Sequence, residues 1–67
     1  MENRETVGEF IARAIPDDSY RLRIEADDML PRKGTKSSLK DDTTMQLWFG
    51  GYEMWDDGTV RILGLFN

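Results

Sequence analysis

One segment of this chain spaces its apolar residues for a helix, and most later apolar residues fall in alternating runs instead. Val7, Phe10, Ile11, Ala14 and Ile15 recur at intervals of three and four, which gathers them on one stripe. Beyond Pro16 the apolar positions recur at intervals of two, the period of a strand with one buried side. A sheet with one helix available has cover for one face only. The sequence therefore predicts an α+β fold, with one short N-terminal helix packed on a three- to four-stranded antiparallel meander sheet.

The element ends carry local signals. Thr6-Val7-Gly8-Glu9 has the form of a capping box, in which the threonine oxygen accepts from an amide three residues on and the glutamate reaches back. Pro16 ends the helix, because proline disfavours helical geometry in the residue before it. Tyr20, Leu22, Ile24 and Ala26 alternate with Arg21, Arg23 and Glu25 as a first strand. Residues 31–42, with Gly34, Ser37, Ser38 and the basic Arg32, Lys33, Lys36 and Lys40, read as a flexible basic loop tacked down by Leu39. Thr43 to Phe49 alternates as a second strand. Gly50-Gly51 is either a tight turn or a bulge in one long strand, and the bulge is the preferred reading. Asp56-Asp57-Gly58 is a turn into a last strand, Thr59 to Leu65.

At 67 residues the chain is read as one small domain, 1–67, whose stability margin is thin. Small domains recover that margin with disulfides, a structural metal or self-association. The sequence has no cysteine and no histidine, so disulfides and ordinary zinc sites are excluded. An efficient core or a homodimer remains. The net charge of −4 and pI near 4.6 disfavour duplex DNA and anionic membranes as partners. No apolar run approaches the ~18 residues of a membrane span. The polar start, Met1-Glu2-Asn3-Arg4-Glu5, lacks the order of a signal peptide. The expectation is a complete, soluble, cytoplasmic gene product without metal or cofactor.

Sorting the strands by face gives a core side of Leu22, Ile24, Met45, Leu47, Phe49, Met54, Val60 and Ile62, with Tyr20 at the edge. The other side collects Arg21, Arg23, Glu25, Gln46, Trp48, Glu53, Trp55, Arg61, Leu63 and Leu65. Tryptophan and arginine dominate binding hot spots, so this second face is the candidate contact surface. On this reading a one-residue shift at Gly50-Gly51 would turn Trp55 into the core.

Catalysis is not expected. Without histidine or cysteine the common nucleophile–base pairs are missing. The acid pairs Asp17-Asp18, Asp27-Asp28, Asp41-Asp42 and Asp56-Asp57 fall at element ends, where aspartate bonds nearby amides. The stretch from Arg32 to Lys40 lacks the spacing of a phosphate-binding loop. Two functions follow. The first is a protein-binding module, an inhibitor or adaptor, docking through Trp48, Trp55, Arg21, Arg23, Arg61, Leu63 and Leu65, with acidic turns reading a basic partner. Small acidic phage antagonists of host defence offer an analogy of size and charge only. The alternative is a single-stranded nucleic-acid binder, which uses the same face together with Arg32, Lys33, Lys36 and Lys40. Net acidity weakens the electrostatic term on which that alternative depends.

Overall fold

The computed structural model describes residues 4–66. Helix α1 spans Val7–Ala14, and the capping box at its start is formed. The Glu9 amide donates to Thr6 Oγ1 at 3.1 Å, and the Thr6 amide donates to the Glu9 carboxylate at 2.8 Å. Val7, Phe10 and Ile11 are buried, as is Ile15 at the C-terminal cap, whereas Ala14 faces solvent. A helix of eight residues does not stand alone in water. Burial of these four side chains, each contributing about 1.5–3 kcal/mol, holds it to the sheet.

Four strands form one sheet in the order β2-β1-β4-β3: β1 Arg21–Glu25, β2 Arg32–Gly34, β3 Trp48–Met54 and β4 Thr59–Leu65. The α+β class holds, but the sheet is mixed and not an antiparallel meander. β1 pairs antiparallel with β2, and β4 pairs antiparallel with β3, while β1 and β4 run parallel. The burial of each strand explains the order. β4 buries Thr59, Val60, Ile62 and Gly64 and takes a central place beside β1; β3 is half-buried or exposed along its length and takes an edge. The core unites Leu22, Ile24, Val60 and Ile62 of the sheet with the α1 stripe, Leu39 and Leu47.

Two segments depart from the sequence reading. Arg32–Gly34 lies inside the expected loop 31–42 yet forms β2, an edge strand whose pairing with Leu22 to Ile24 comes from a tertiary contact. The turn before it holds Asp28 at φ 60°, a left-handed conformation that aspartate tolerates better than most residues. The rest of the loop is a turn that packs on the helix side of the molecule. Leu39 is buried as expected, the Leu39 amide donates to Thr35 O, and Asp18 accepts from the Ser37 amide and hydroxyl. The second departure is Thr43–Gln46, a 3-10 helix and not a strand. Asp42 caps it by accepting from the Thr44 amide (3.1 Å) and hydroxyl (2.6 Å). Threefold geometry buries Thr44 and Leu47, and strand pairing starts only at Trp48.

Gly50-Gly51 is a bulge. Phe49 lies opposite Gly64 and Tyr52 opposite Ile62, so β3 spends three residue steps where β4 spends two. Gly51 has a φ of 127°, a conformation that L side chains rarely adopt. The extra residue inverts the side-chain alternation, so Phe49 and Tyr52 share the helix face, where the Phe10 ring lies 4.0 and 5.1 Å from theirs. Trp48 and Trp55 consequently share the opposite face. The expectation that a register shift would bury Trp55 is thereby reversed: the shift is present, and it is what turns Trp55 outward. Met54 does lie on the helix side, opposite Val60, but is 58% exposed, so it is not a core residue.

Asp56-Asp57-Gly58 closes the β3–β4 hairpin as expected. The Gly58 amide donates to Trp55 O, the Trp55 amide donates to Thr59 O, and Gly58 takes the positive φ (90°) of a three-residue loop. Replacing Gly51 with alanine strains the backbone without a steric clash, since a Cβ there meets nothing within 4 Å. Gly51→Ala is expected to lower stability by about 1–2 kcal/mol. Urea denaturation checks this; an unchanged midpoint would show that the bulge needs no positive φ.

Candidate functional site on the uncovered sheet face

Helix α1 covers one face of the sheet, and no described helix covers the other. Cross-strand register arranges the uncovered face in rows. The middle row runs Lys33, Arg23, Arg61 and Glu53 across β2, β1, β4 and β3, with Glu25 and Leu63 paired two residues along. Arg23 and Arg61 stand opposite each other, an arrangement that like charges disfavour. Glu25 resolves it by accepting from both: Arg23 Nε donates to its carboxylate, and Arg61 Nη2 donates to it at 2.8 Å. Arg61 Nη1 also donates to Glu53 at 2.8 Å. The result is a charge ladder, Arg23–Glu25–Arg61–Glu53, across three strands.

This ladder divides the face into two ends. Trp48 and Trp55 stand at opposite ends of β3, about 20 Å apart at ~3.3 Å per residue. Each indole has a guanidinium over it, Arg4 at 5.6 Å from Trp48 and Arg23 at 5.5 Å from Trp55. At the Trp48 end Leu65 is 48% exposed, Phe66 59% and Leu63 36%. A hollow of about 460 Å³ opens there between Arg4, Glu5, Trp48, Phe49, Leu65 and Phe66. The Trp55 end is basic. Arg21, Arg23, Lys33, Trp55, Asp57 and Thr59 surround a smaller hollow of about 280 Å³.

The site residues expected from the sequence are thus partly assembled. Trp48, Trp55, Arg21, Arg23, Arg61, Leu63 and Leu65 share the uncovered face, but as an apolar end and a basic end with the ladder between. Of the loop cations only Lys33 joins them. Arg32 pairs with Asp42 at 3.7 Å. Lys36 Nζ donates to Ile15 O at 2.6 Å at the end of α1, and Lys36 and Lys40 flank the helix beside Gly8, Ile11, Ala12 and Met45. Sequence reasoning missed Phe66 and Arg4. Phe66 follows the last alternating residue, and Arg4 precedes the helix, so neither lies within a periodic run.

Three of the four acid pairs, Asp17-Asp18, Asp41-Asp42 and Asp56-Asp57, contribute a carboxylate that bonds to the backbone. Asp17 accepts from the Ser19 hydroxyl and amide, Asp42 from the Thr44 hydroxyl and amide, and Asp57 from the Thr59 amide, and these bonds hold each carboxyl below its ordinary range. Among the described residues no group of three metal-ligating side chains forms, and no helix is long and apolar enough to cross a membrane. Compared with protein-family models, curated proteins and solved structures, the chain matches none. The surface must therefore be read from its own chemistry.

Hydrogen bonds from Arg61 first, and Arg23 second, hold the Glu25 carboxyl down to about 2. Its folded value lies below the ordinary 4.5, so its contribution to stability is complete above that pH and is lost as pH falls toward about 2. Glu25→Gln is expected to destabilise by roughly 1–2 kcal/mol at pH 7. The gap between variant and wild type should close between pH 4.5 and 2. Urea midpoints across pH check this, and a gap independent of pH would show that the carboxylate charge is not what the ladder uses.

Proposed function

We propose that this is a protein-binding module of the inhibitor or adaptor type that docks through the uncovered face of its sheet. The observation that carries this reading is the apolar end, where Leu63, Leu65 and Phe66 stand exposed beside Trp48. Contiguous apolar surface on a small protein marks an interaction site more often than chance exposure. The ladder supports a protein ligand further, because it presents paired charges that are already desolvated in part and fixed in geometry. A partner can satisfy such a row with polar side chains and place its apolar anchors at one end.

The charge we propose for that partner differs from the one expected from the sequence. The acidic turns were expected to read a basic surface. On the docking face itself Arg21, Arg23, Lys33 and Arg61 face Glu25, Glu53 and Asp57, so the face is weakly basic although the chain is acidic. An apolar partner surface flanked by carboxylates fits better. A single-stranded nucleic-acid groove fits less well, because Lys36 and Lys40 lie by the helix and carboxylates interrupt the path between the tryptophans. A cytoplasmic setting belongs to the proposal and agrees with the absence of cysteine.

Leu65→Asp tests the reading, because Leu65 is exposed and its replacement is expected to change stability by no more than about 0.5 kcal/mol. Affinity capture from native lysate with wild type should retain one protein in stoichiometric amount. Leu65→Asp should weaken that association about 30-fold, the effect of losing a hot-spot contact of about 2 kcal/mol. Capture that survives the substitution would contradict the reading. So would a wild-type homodimer that Leu65→Asp converts to monomer, since the face would then serve a second copy.

A further inference from the structure

The hollow at Trp55 gathers cations in an acidic chain. Among the residues that line it are three cations, Arg21, Arg23 and Lys33, and one carboxylate, Asp57, in a chain whose net charge is −4. Two of these charges are already occupied. Arg23 is bound to Glu25, and the Asp57 carboxylate accepts from the Thr59 amide at 2.9 Å. Arg21 lies close enough to Asp57 to help lower its pKa. Neither Arg21 nor Lys33 makes an ion pair within 4.0 Å among the described residues. Both are exposed, and both border an indole that is 40% exposed.

We infer that this hollow is a carboxylate-reading subsite, which takes one glutamate or aspartate side chain from the protein partner. The inference rests on the docking reading given above and names what its basic end recognises. The unpaired cations Arg21 and Lys33 supply charge-assisted hydrogen bonds to the carboxylate. The Trp55 indole, held under the Arg23 guanidinium, supplies an apolar wall for the methylene groups of the acid. A volume of about 280 Å³ suits one side chain with its water, at the lower limit of small-molecule pockets.

The surroundings favour a single carboxylate over a chain of phosphates. A nucleic-acid strand leaving the hollow toward Trp48 would meet Glu25 and Glu53, and a strand leaving by β2 would find no track to Lys36 and Lys40. Phosphate binding draws its strength from many contacts along the backbone. This site gathers its cations at a single point.

The two tryptophans make the test direct, because their indole N–H groups give two separate signals in a nitrogen–proton correlation spectrum. The probes are an acetylated, amidated glutamate octapeptide and a thymidylate octamer, each titrated at low salt. The octapeptide is expected to shift the Trp55 indole signal and the amides of Arg21, Arg23 and Lys33, and to leave the Trp48 indole in place. Arg21→Ala with Lys33→Ala should weaken that binding at least 10-fold, and Lys33→Glu alone should also weaken it. No movement of the Trp55 signal at millimolar octapeptide would overturn the inference. So would equal or tighter binding of the thymidylate octamer at the same residues, or unchanged octapeptide binding by the double variant. Leu65→Asp keeps the two proposals apart, since it lies at the other end of the face and should bind the octapeptide as wild type does. Loss of the carboxylate response with partner capture intact would sink the subsite alone. An intact response with capture insensitive to Leu65→Asp would sink the docking reading.

Discussion

Between Phe49 and Tyr52 strand β3 carries one residue more than β4 opposite it, and the alternation of side chains is inverted across that point. The placement of the β3 side chains on the two faces of this sheet depends on that inversion. With it, Phe49 and Tyr52 join Phe10 in one aromatic cluster under the helix, and Trp48 and Trp55 both face away. Without it, one half of β3 would offer its apolar residues to solvent while the other half filled the core. A short helix cannot compensate for such a loss, because the eight residues of α1 already leave Met54 exposed. Gly51 makes the inversion available at little local cost, in a backbone conformation that other residues reach with strain.

The uncovered face is then organised by charge. Parallel pairing sets Arg23 opposite Arg61, and Glu25 binds both, so a repulsive contact becomes a ladder across three strands. The ladder separates an apolar end at Trp48 from a basic end at Trp55. Such a face is amphipathic along its length, with chemistry suited to anchoring at one end and orienting at the other. Electrostatic complementarity of this kind contributes to partner choice and association rate more than to raw affinity.

Much of this was legible in the sequence where the signal was local. The capping box, the stripe of α1, the alternation of β1 and the Asp56-Asp57-Gly58 turn each depend on residues within a few positions of one another. The parts that were not legible depend on distant partners. Arg32-Lys33-Gly34 has no apolar alternation and becomes a strand only because β1 offers it a free edge. Met45 and Leu47 mimic a strand period, yet the Asp42 cap winds Thr43–Gln46 into a 3-10 turn. The composition of the uncovered face was visible as tryptophan among arginine. Its division into two ends was not, because the ladder follows from the parallel β1–β4 register, and nothing in Tyr20 to Ala26 or Thr59 to Leu65 announces that pairing. The position of Lys36 and Lys40 beside the helix was not legible for the same reason: the turn that carries them is tied to Asp18 and Ile15, far away in sequence.

The central claim is that the bulge places both indoles on the face that α1 does not cover. Proton–proton nuclear Overhauser contacts from the Trp55 indole in the free protein test it most directly. The account predicts contacts to the side chains of Arg23 and Thr59 and none to α1. Contacts from Trp55 to Phe10 or Ile11 would contradict it, for they would mean that β3 runs without its extra residue and that the two-ended surface does not exist.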